Sequence, residues 1–124
     1  MNVVLWVIAA VLAVAFLGAG ALKLLQPKEK LIASGLTWVE DSSAAAVKAL
    51  GAVEILGAIG LILPALVDIA PILVPLAATG LAVTMIGAAI THFRRGELQS
   101  IAVNVVLFVL AAVVAWGRFG DWAF

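Results

Sequence analysis

The stretch Ala44–Leu63, AAAVKALGAVEILGAIGLIL, carries only two charges, Lys48 and Glu54, among residues that are otherwise apolar or glycine. A helix rising about 1.5 Å per residue crosses the ~30 Å hydrocarbon layer in roughly 20 residues, so this stretch has the length of one membrane span. Strands are disfavoured there, because an open sheet edge leaves backbone groups unpaired in lipid. Three further apolar stretches flank it: Val3–Leu25, Pro71–Ile90 and Ile101–Trp116. The last is short for a span and needs a residue or two more at each end.

Composition supports the same class. The chain has 124 residues, of which 66% are apolar and 11% charged. Its mean hydropathy is +1.29. A soluble domain averages roughly 45–50% apolar and about 25% charged. Too few polar side chains are present to cover a water-soluble globule, and a disordered chain fails on the same grounds. We therefore expect an all-α membrane protein, with four transmembrane helices in an up-and-down bundle. The expected helices are 3–25, 43–63, 71–93 and 99–117, in a single membrane domain, 1–124.

Local signals set the boundaries. Gln26-Pro27 ends the first helix, since proline lacks the amide donor and disfavours helical geometry just before it. Asp41, Ser42 and Ser43 offer N-cap oxygens to the second. Pro64 is expected to close it. Pro71 and Pro75 fall in or near the first turn of the third, where a missing N–H does least harm. Arg94-Arg95-Gly96 ends that helix with cations and a C′ glycine. The segment 26–43 contains Leu31, Ile32, Leu36, Trp38 and Val39 among charges, and reads equally as an interfacial segment or a loop.

Charge placement gives an orientation. Six of the seven Lys and Arg residues flank the first and third connections, and only Arg118 lies on the other side. By the positive-inside rule both termini face outward, and loops 26–43 and 92–100 are cytoplasmic. The N-terminal apolar run lacks a cationic n-region and outlasts a signal peptide, so it reads as a retained span. The expected location is a bacterial inner (plasma) membrane. Trp6, Trp116 and Trp122 then read as outer interfacial anchors, and Trp38 as an inner one.

Several classes of function are excluded or left unsupported. There is no cysteine, which removes thiol redox chemistry and thiolate metal sites. One histidine cannot supply a bis-histidine haem. Net charge is zero, so no basic excess marks a nucleic-acid partner. No catalytic residues, metal ligands or certain cofactor are assigned from the residues.

The intramembrane polar residues are the candidate site. An ionised carboxylate near mid-span needs a partner, water or a proton. Glu54 shares a helical arc with Gly51 and Ala58, whose small size admits a neighbouring helix. Lys23, on an arc with Phe16 and Gly20, either bends to Glu54 or snorkels to the headgroups. His92, Thr84 and Thr91 lie toward the same end of helix three, and Asn104 lies about one turn into helix four. The expected binding cluster is therefore Glu54, Lys23, His92, Asn104, Thr84 and Thr91. Glu54 reads as either a structural ion-pair hub or a ligand or proton site. Asn104 reads as an interhelical hydrogen-bonding group. Gly18, Gly20, Gly57, Gly60, Gly80 and Gly87 read as packing residues.

These pieces, in this order, resemble the DoxX-like family. The matching runs are Gly20-Ala-Leu-Lys23-Leu, Glu54-Ile-Leu-Gly57-Ala-Ile-Gly60-Leu61 and Met85-Ile-Gly-Ala88-Ala89-Ile-Thr-His92. The resemblance implies a four-helix integral membrane protein. It associates the chain with quinone-linked oxidation of reduced sulfur compounds, with membrane redox complexes, and more distantly with membrane-protein chaperoning. Glu54, Lys23 and His92 would correspond to the family's typical glutamate, lysine and histidine.

Three functional classes follow. One is a non-catalytic subunit or scaffold presenting Lys28–Trp38 and Arg94–Gln99 to a cytoplasmic or membrane redox partner. The second is a quinone-associated subunit whose polar cluster hydrogen-bonds the ring oxygens, with electrons supplied by a partner or substrate. The third is a proton-coupled transporter resembling the small multidrug transporters, although their glutamate lies in the first helix and tyrosine is absent here. Small-residue faces would permit a homo-oligomer and serve intrachain packing equally well.

Overall fold

Gln26 adopts an extended conformation ahead of Pro27, and the first helix stops there. In the computed structural model, which describes residues Met1–Phe124, this helix is α1, Asn2–Leu25. The other spanning helices are α3 (Ala44–Leu66), α4 (Leu73–Arg94) and α5 (Leu98–Phe119), and a short α2 (Lys28–Ala33) lies in the first connection. The chain is 82% helical and has no strands. Four helices are long and apolar enough to cross a membrane. The protein is a four-helix integral membrane protein.

Caps form largely where the residue types call for them. The Ser43 hydroxyl accepts from Ala46 N–H at 3.1 Å and starts α3. Gly96 has φ +72°, and its N–H bonds Phe93 O while Glu97 N–H bonds His92 O. This paired closure needs a left-handed residue, which glycine adopts without a Cβ clash. Pro75 takes the third position of α4, where its N–H would have had no helical partner. The fourth span lengthens at both ends, as its short apolar run requires.

Three boundaries differ from expectation by two residues or more, one of them the end of α5 at Phe119 rather than residue 117. Pro64 does not close the second span, since α3 continues to Leu66. Its ring fixes a helical φ, and so near the end it costs only one hydrogen bond. The third span begins at Leu73, not residue 71, because Asp68 and Ala70 take positive φ in the preceding turn.

α1 packs against α3 and α4 against α5, with α3–α4 and α1–α5 contacts closing the ring. A Cβ built on Gly20 would lie 2.6 Å from Gly51 O, so the backbones of α1 and α3 touch there. Gly57 and Gly60 seat against Leu81 and Ala77 of α4. Gly18, Gly80 and Gly87 do not pack, as nothing lies within 4 Å of a Cβ placed on them. The helical period explains Gly18 and Gly80. Each lies two residues, about 200°, from buried neighbours such as Phe16 and Gly20 or Ala78 and Ala82.

Leu12, Phe16, Ala58, Leu61, Leu81, Met85, Ala111 and Val114 belong to the main core. Large apolar side chains such as Val14, Leu56, Val83 and Phe93 cover the outside. So much exposed apolar surface suits acyl chains rather than water. The first connection is ordered. α2 and a 3-10 turn, Thr37–Asp41, bury Leu31 and Val39 against Val47 of α3.

Candidate functional site

Glu54 and Lys23 meet because Lys23 lies against Gly51 at the close contact of α1 with α3 and its side chain reaches along that contact. Gly51 and Glu54 follow one another on the buried face of α3, and Gly20 and Lys23 do so on α1. The Gly20–Gly51 contact brings the two axes close, and Lys23 Nζ donates to Glu54 Oε1 at 2.7 Å. Lys23 is 8% exposed and Glu54 3%. Lys23 thus bends to Glu54 rather than snorkelling. The neighbouring cation, Lys48, bonds Leu24 O at 2.9 Å and closes the end of α1.

This ion pair forms one wall of a cavity of about 660 Å³. All four spanning helices and the first connection line it. α4 contributes Thr84, Met85, Ala88, Thr91 and His92, and α5 contributes Ser100, Asn104 and Leu107. Phe16, Leu50, Leu36 and Trp38 add apolar surface. All six residues expected of the cluster therefore border one space. Thr84 and Thr91 donate their hydroxyl hydrogens to Gly80 O and Gly87 O, leaving their oxygen lone pairs free. Asn104 Nδ2 donates to Met85 Sδ at 3.6 Å, and Oδ1 is enclosed without a partner. A thioether only accepts, which fixes the nitrogen on that side.

Asn104 and Met85 also border a second hollow, of about 500 Å³, on the α4–α5 seam. Its lining includes the exposed Ile86, Ile90, Phe93 and Val105, so it faces the lipid side.

At the basic-loop end, Glu97 organises the mouth of the cavity. Its Oε2 accepts from Thr37 Oγ1 at 2.7 Å, and its Oε1 meets His92 Nδ1 at 2.9 Å. Arg95 Nε lies 3.3 Å from the same Oε1, an ion pair that lacks hydrogen-bond alignment, and Arg95 Nη1 donates to Asp41. The segment containing Thr37 and Asp41 is thereby tied to the α4–α5 turn.

The Thr37 hydrogen bond, the His92 contact and the Arg95 charge hold the Glu97 carboxyl below its ordinary 4.5. The Asp41 carboxylate correspondingly holds the Arg95 guanidinium above its ordinary value. A carboxylate depressed on folding contributes stability above its unfolded value and loses it as pH falls through the folded one. Glu97 therefore keeps its partners as the pH is lowered through 4.5 and releases them only below. A spin label on a cysteine introduced at exposed Ala33, in a chain with no other thiol, would report this. Its mobility is expected to rise only below that pH, and release at or above it would contradict the assignment.

Glu97, Thr37, Ser100 and Trp38 were not expected in the site. Trp38 lines the cavity rather than serving only as an anchor. Glu97 had a signal, since a residue following a C′ glycine folds back over the helix end. Thr37 had none, because its partner is 60 residues away.

Arg118 is a second unanticipated feature, at the opposite end. It is 3% exposed, donates to Asn2 Oδ1 at 2.6 Å and to Trp122 O at 2.8 Å, and lies 3.9 Å from the Phe124 ring centroid. Hydrogen bonds and cation–π contact take the place of a carboxylate partner. Trp6 packs edge-on against Phe124 at 5.5 Å in the same group.

No curated protein and no solved structure matches the chain. A family model does: it covers residues 7–114, nearly the whole bundle and all the cavity-lining residues named above. The chain belongs to the DoxX-like family.

Proposed function

We propose that the protein is a membrane component of a redox system and that its cavity holds a lipid-soluble ring of the quinone type. The observation that carries this reading is the lining. Apolar lining residues such as Phe16, Met85 and Leu107 suit a ring, and the polar groups contributed by all four spanning helices suit its oxygens. Lys23 spends one N–H on Glu54 and keeps two donors. Across the space stand His92, Ser100 and Asn104. The lipid-facing hollow that shares Met85 and Asn104 suits a ligand arriving from the bilayer.

The chain's own residues bind, orient and exclude water; a bound quinone would supply the electron-accepting chemistry. Electrons come from a partner or a bound reductant. In this reading the basic loops are cytoplasmic, in a bacterial inner membrane. Exposed Lys30 and Arg94 offer a partner protein cationic surface there.

Two measurements test the reading. Protein purified in mild detergent should retain a quinone detectable by mass spectrometry. Glu54→Gln should weaken calorimetric quinone binding about ten-fold, on the scale of one charge-assisted hydrogen bond. Unchanged affinity in that variant would remove the Glu54–Lys23 pair from the site.

A further inference from the structure

We infer that Glu97 is the positioning residue of a carboxylate–imidazole dyad, which turns His92 Nε2 out as an acceptor and makes the cavity select a ring bearing hydroxyl groups over one bearing carbonyls alone. The ligand half of this inference rests on the quinone-type reading above. The dyad rests on geometry alone.

Glu97 receives Thr37 on one oxygen and His92 on the other, with Arg95 beside it. An ionised carboxylate only accepts. His92 Nδ1 must therefore be the donor, and in the neutral ring the lone pair then sits on Nε2. Nε2 has no partner in the protein and is not among the enclosed unpaired atoms, so a ligand can reach it. The ring lines the cavity, as does Glu97 itself. The backbone reinforces the pairing, because Glu97 N–H bonds His92 O across the Gly96 turn at 2.9 Å.

Other lining groups add acceptors beside His92 Nε2. Asn104 Oδ1 also lacks a donor but is enclosed, so the reachable acceptors lie elsewhere. Glu54 uses only Oε1 on Lys23, and the Thr84 and Thr91 hydroxyl hydrogens are committed to their own helix. Donors stand beside these acceptors, namely the remaining Lys23 N–H groups, the Trp38 indole N–H, the second Asn104 amide N–H and the Ser100 hydroxyl, and a hydroquinone hydroxyl, which both donates and accepts, can meet either kind. A benzoquinone brings only acceptors. A hydroquinone brings two O–H donors and satisfies more of the lining. The selection concerns hydrogen bonds alone, and no bond is made or broken.

His92 is the sole histidine, so nitrogen-labelled histidine gives a single imidazole in the NMR spectrum. At mildly alkaline pH the wild type is expected to show Nδ1 protonated and Nε2 bare. Glu97→Ala should shift the ring toward the Nε2–H tautomer. Glu97→Gln, whose amide oxygen still accepts, and Thr37→Ala, which removes only the other contact, should both keep it. An Nε2–H tautomer in the wild type, or no response to Glu97→Ala, overturns the dyad.

Anaerobic calorimetry with tetramethylhydroquinone and tetramethylbenzoquinone tests the selection. The hydroquinone should bind about ten-fold more tightly, the scale of one further hydrogen bond in an enclosed site, and His92→Phe should abolish the preference. Equal affinities, or a preference for the quinone, overturn the selection and leave the cavity reading standing. Binding of neither ring overturns the reading itself and the selection with it, and the tautomer then judges the dyad alone.

Discussion

Replacing Lys23 alone by alanine is expected to lower the stability of the bundle by about 3–5 kcal/mol, the usual consequence of stranding one half of a buried ion pair. Glu54 is 3% exposed, and its only hydrogen bond is to Lys23 Nζ. Without that bond the largely buried carboxylate has no counter-ion. Exchanging both residues for apolar ones of similar volume, as in Lys23→Met with Glu54→Leu, should restore most of the loss, because no uncompensated charge remains. Denaturant titration in detergent measures both. If the double variant were as damaged as the single one, the pair would owe its effect to packing rather than charge. The comparison also separates stability from function, since the double variant is expected to fold and yet lose quinone binding.

Gly51→Ala is the second large effect. The added Cβ would lie 2.8 Å from Gly20 O and 2.9 Å from Lys23 Cβ, and the backbone oxygen cannot rotate away as a side chain can. α1 and α3 must separate, at a cost of about 1–3 kcal/mol by the usual scale of overpacking. The same movement draws Lys23 away from Glu54, so the ion pair weakens too. Gly18→Ala provides the contrast, because nothing lies within 4 Å of its Cβ. There alanine should stabilise by up to about 1 kcal/mol through helix propensity. Equal responses at the two glycines would mean that close approach of the helices is not what Gly51 supplies.

The glycines also show where sequence reading succeeds and where it stops. Spans, caps and the clustering of polar residues follow from local rules: apolar length, Ser43 as a cap, Gly96 as a C′ residue. Gly20 and Gly18 have the same chemistry and similar neighbours, yet only Gly20 is on the buried arc. The arc of Phe16, Gly20 and Lys23 follows from the helical period, but the packing of α1 on α3 decides that this arc is the buried one. Lys23 illustrates a different gap. Its two destinations, headgroup and Glu54, are equally open along α1, and the separation of α1 from α3 decides between them. Thr37 and Asp41 reach Glu97 and Arg95 across nearly half the chain, and Arg118 closes on Asn2 from the far terminus. Such contacts depend on how helices are arranged around the ring, which no local pattern encodes.

The polar space and most of the main apolar core occupy different halves of the same bundle, and Phe16 and Met85 border both. Leu12, Leu61, Val74, Ala78, Leu81, Ala111 and Val114 fill the half away from the basic loops, and the Arg118 group sits beyond them. The protein is shaped as a cup, with a stopper of interlocked side chains where a tube would need a second opening. The cavity is lined at the basic-loop end by Gly35, Leu36 and Glu97, and the separate hollow beside Met85 faces the lipid side. Passage from the cavity to the far end would require that group of side chains to part.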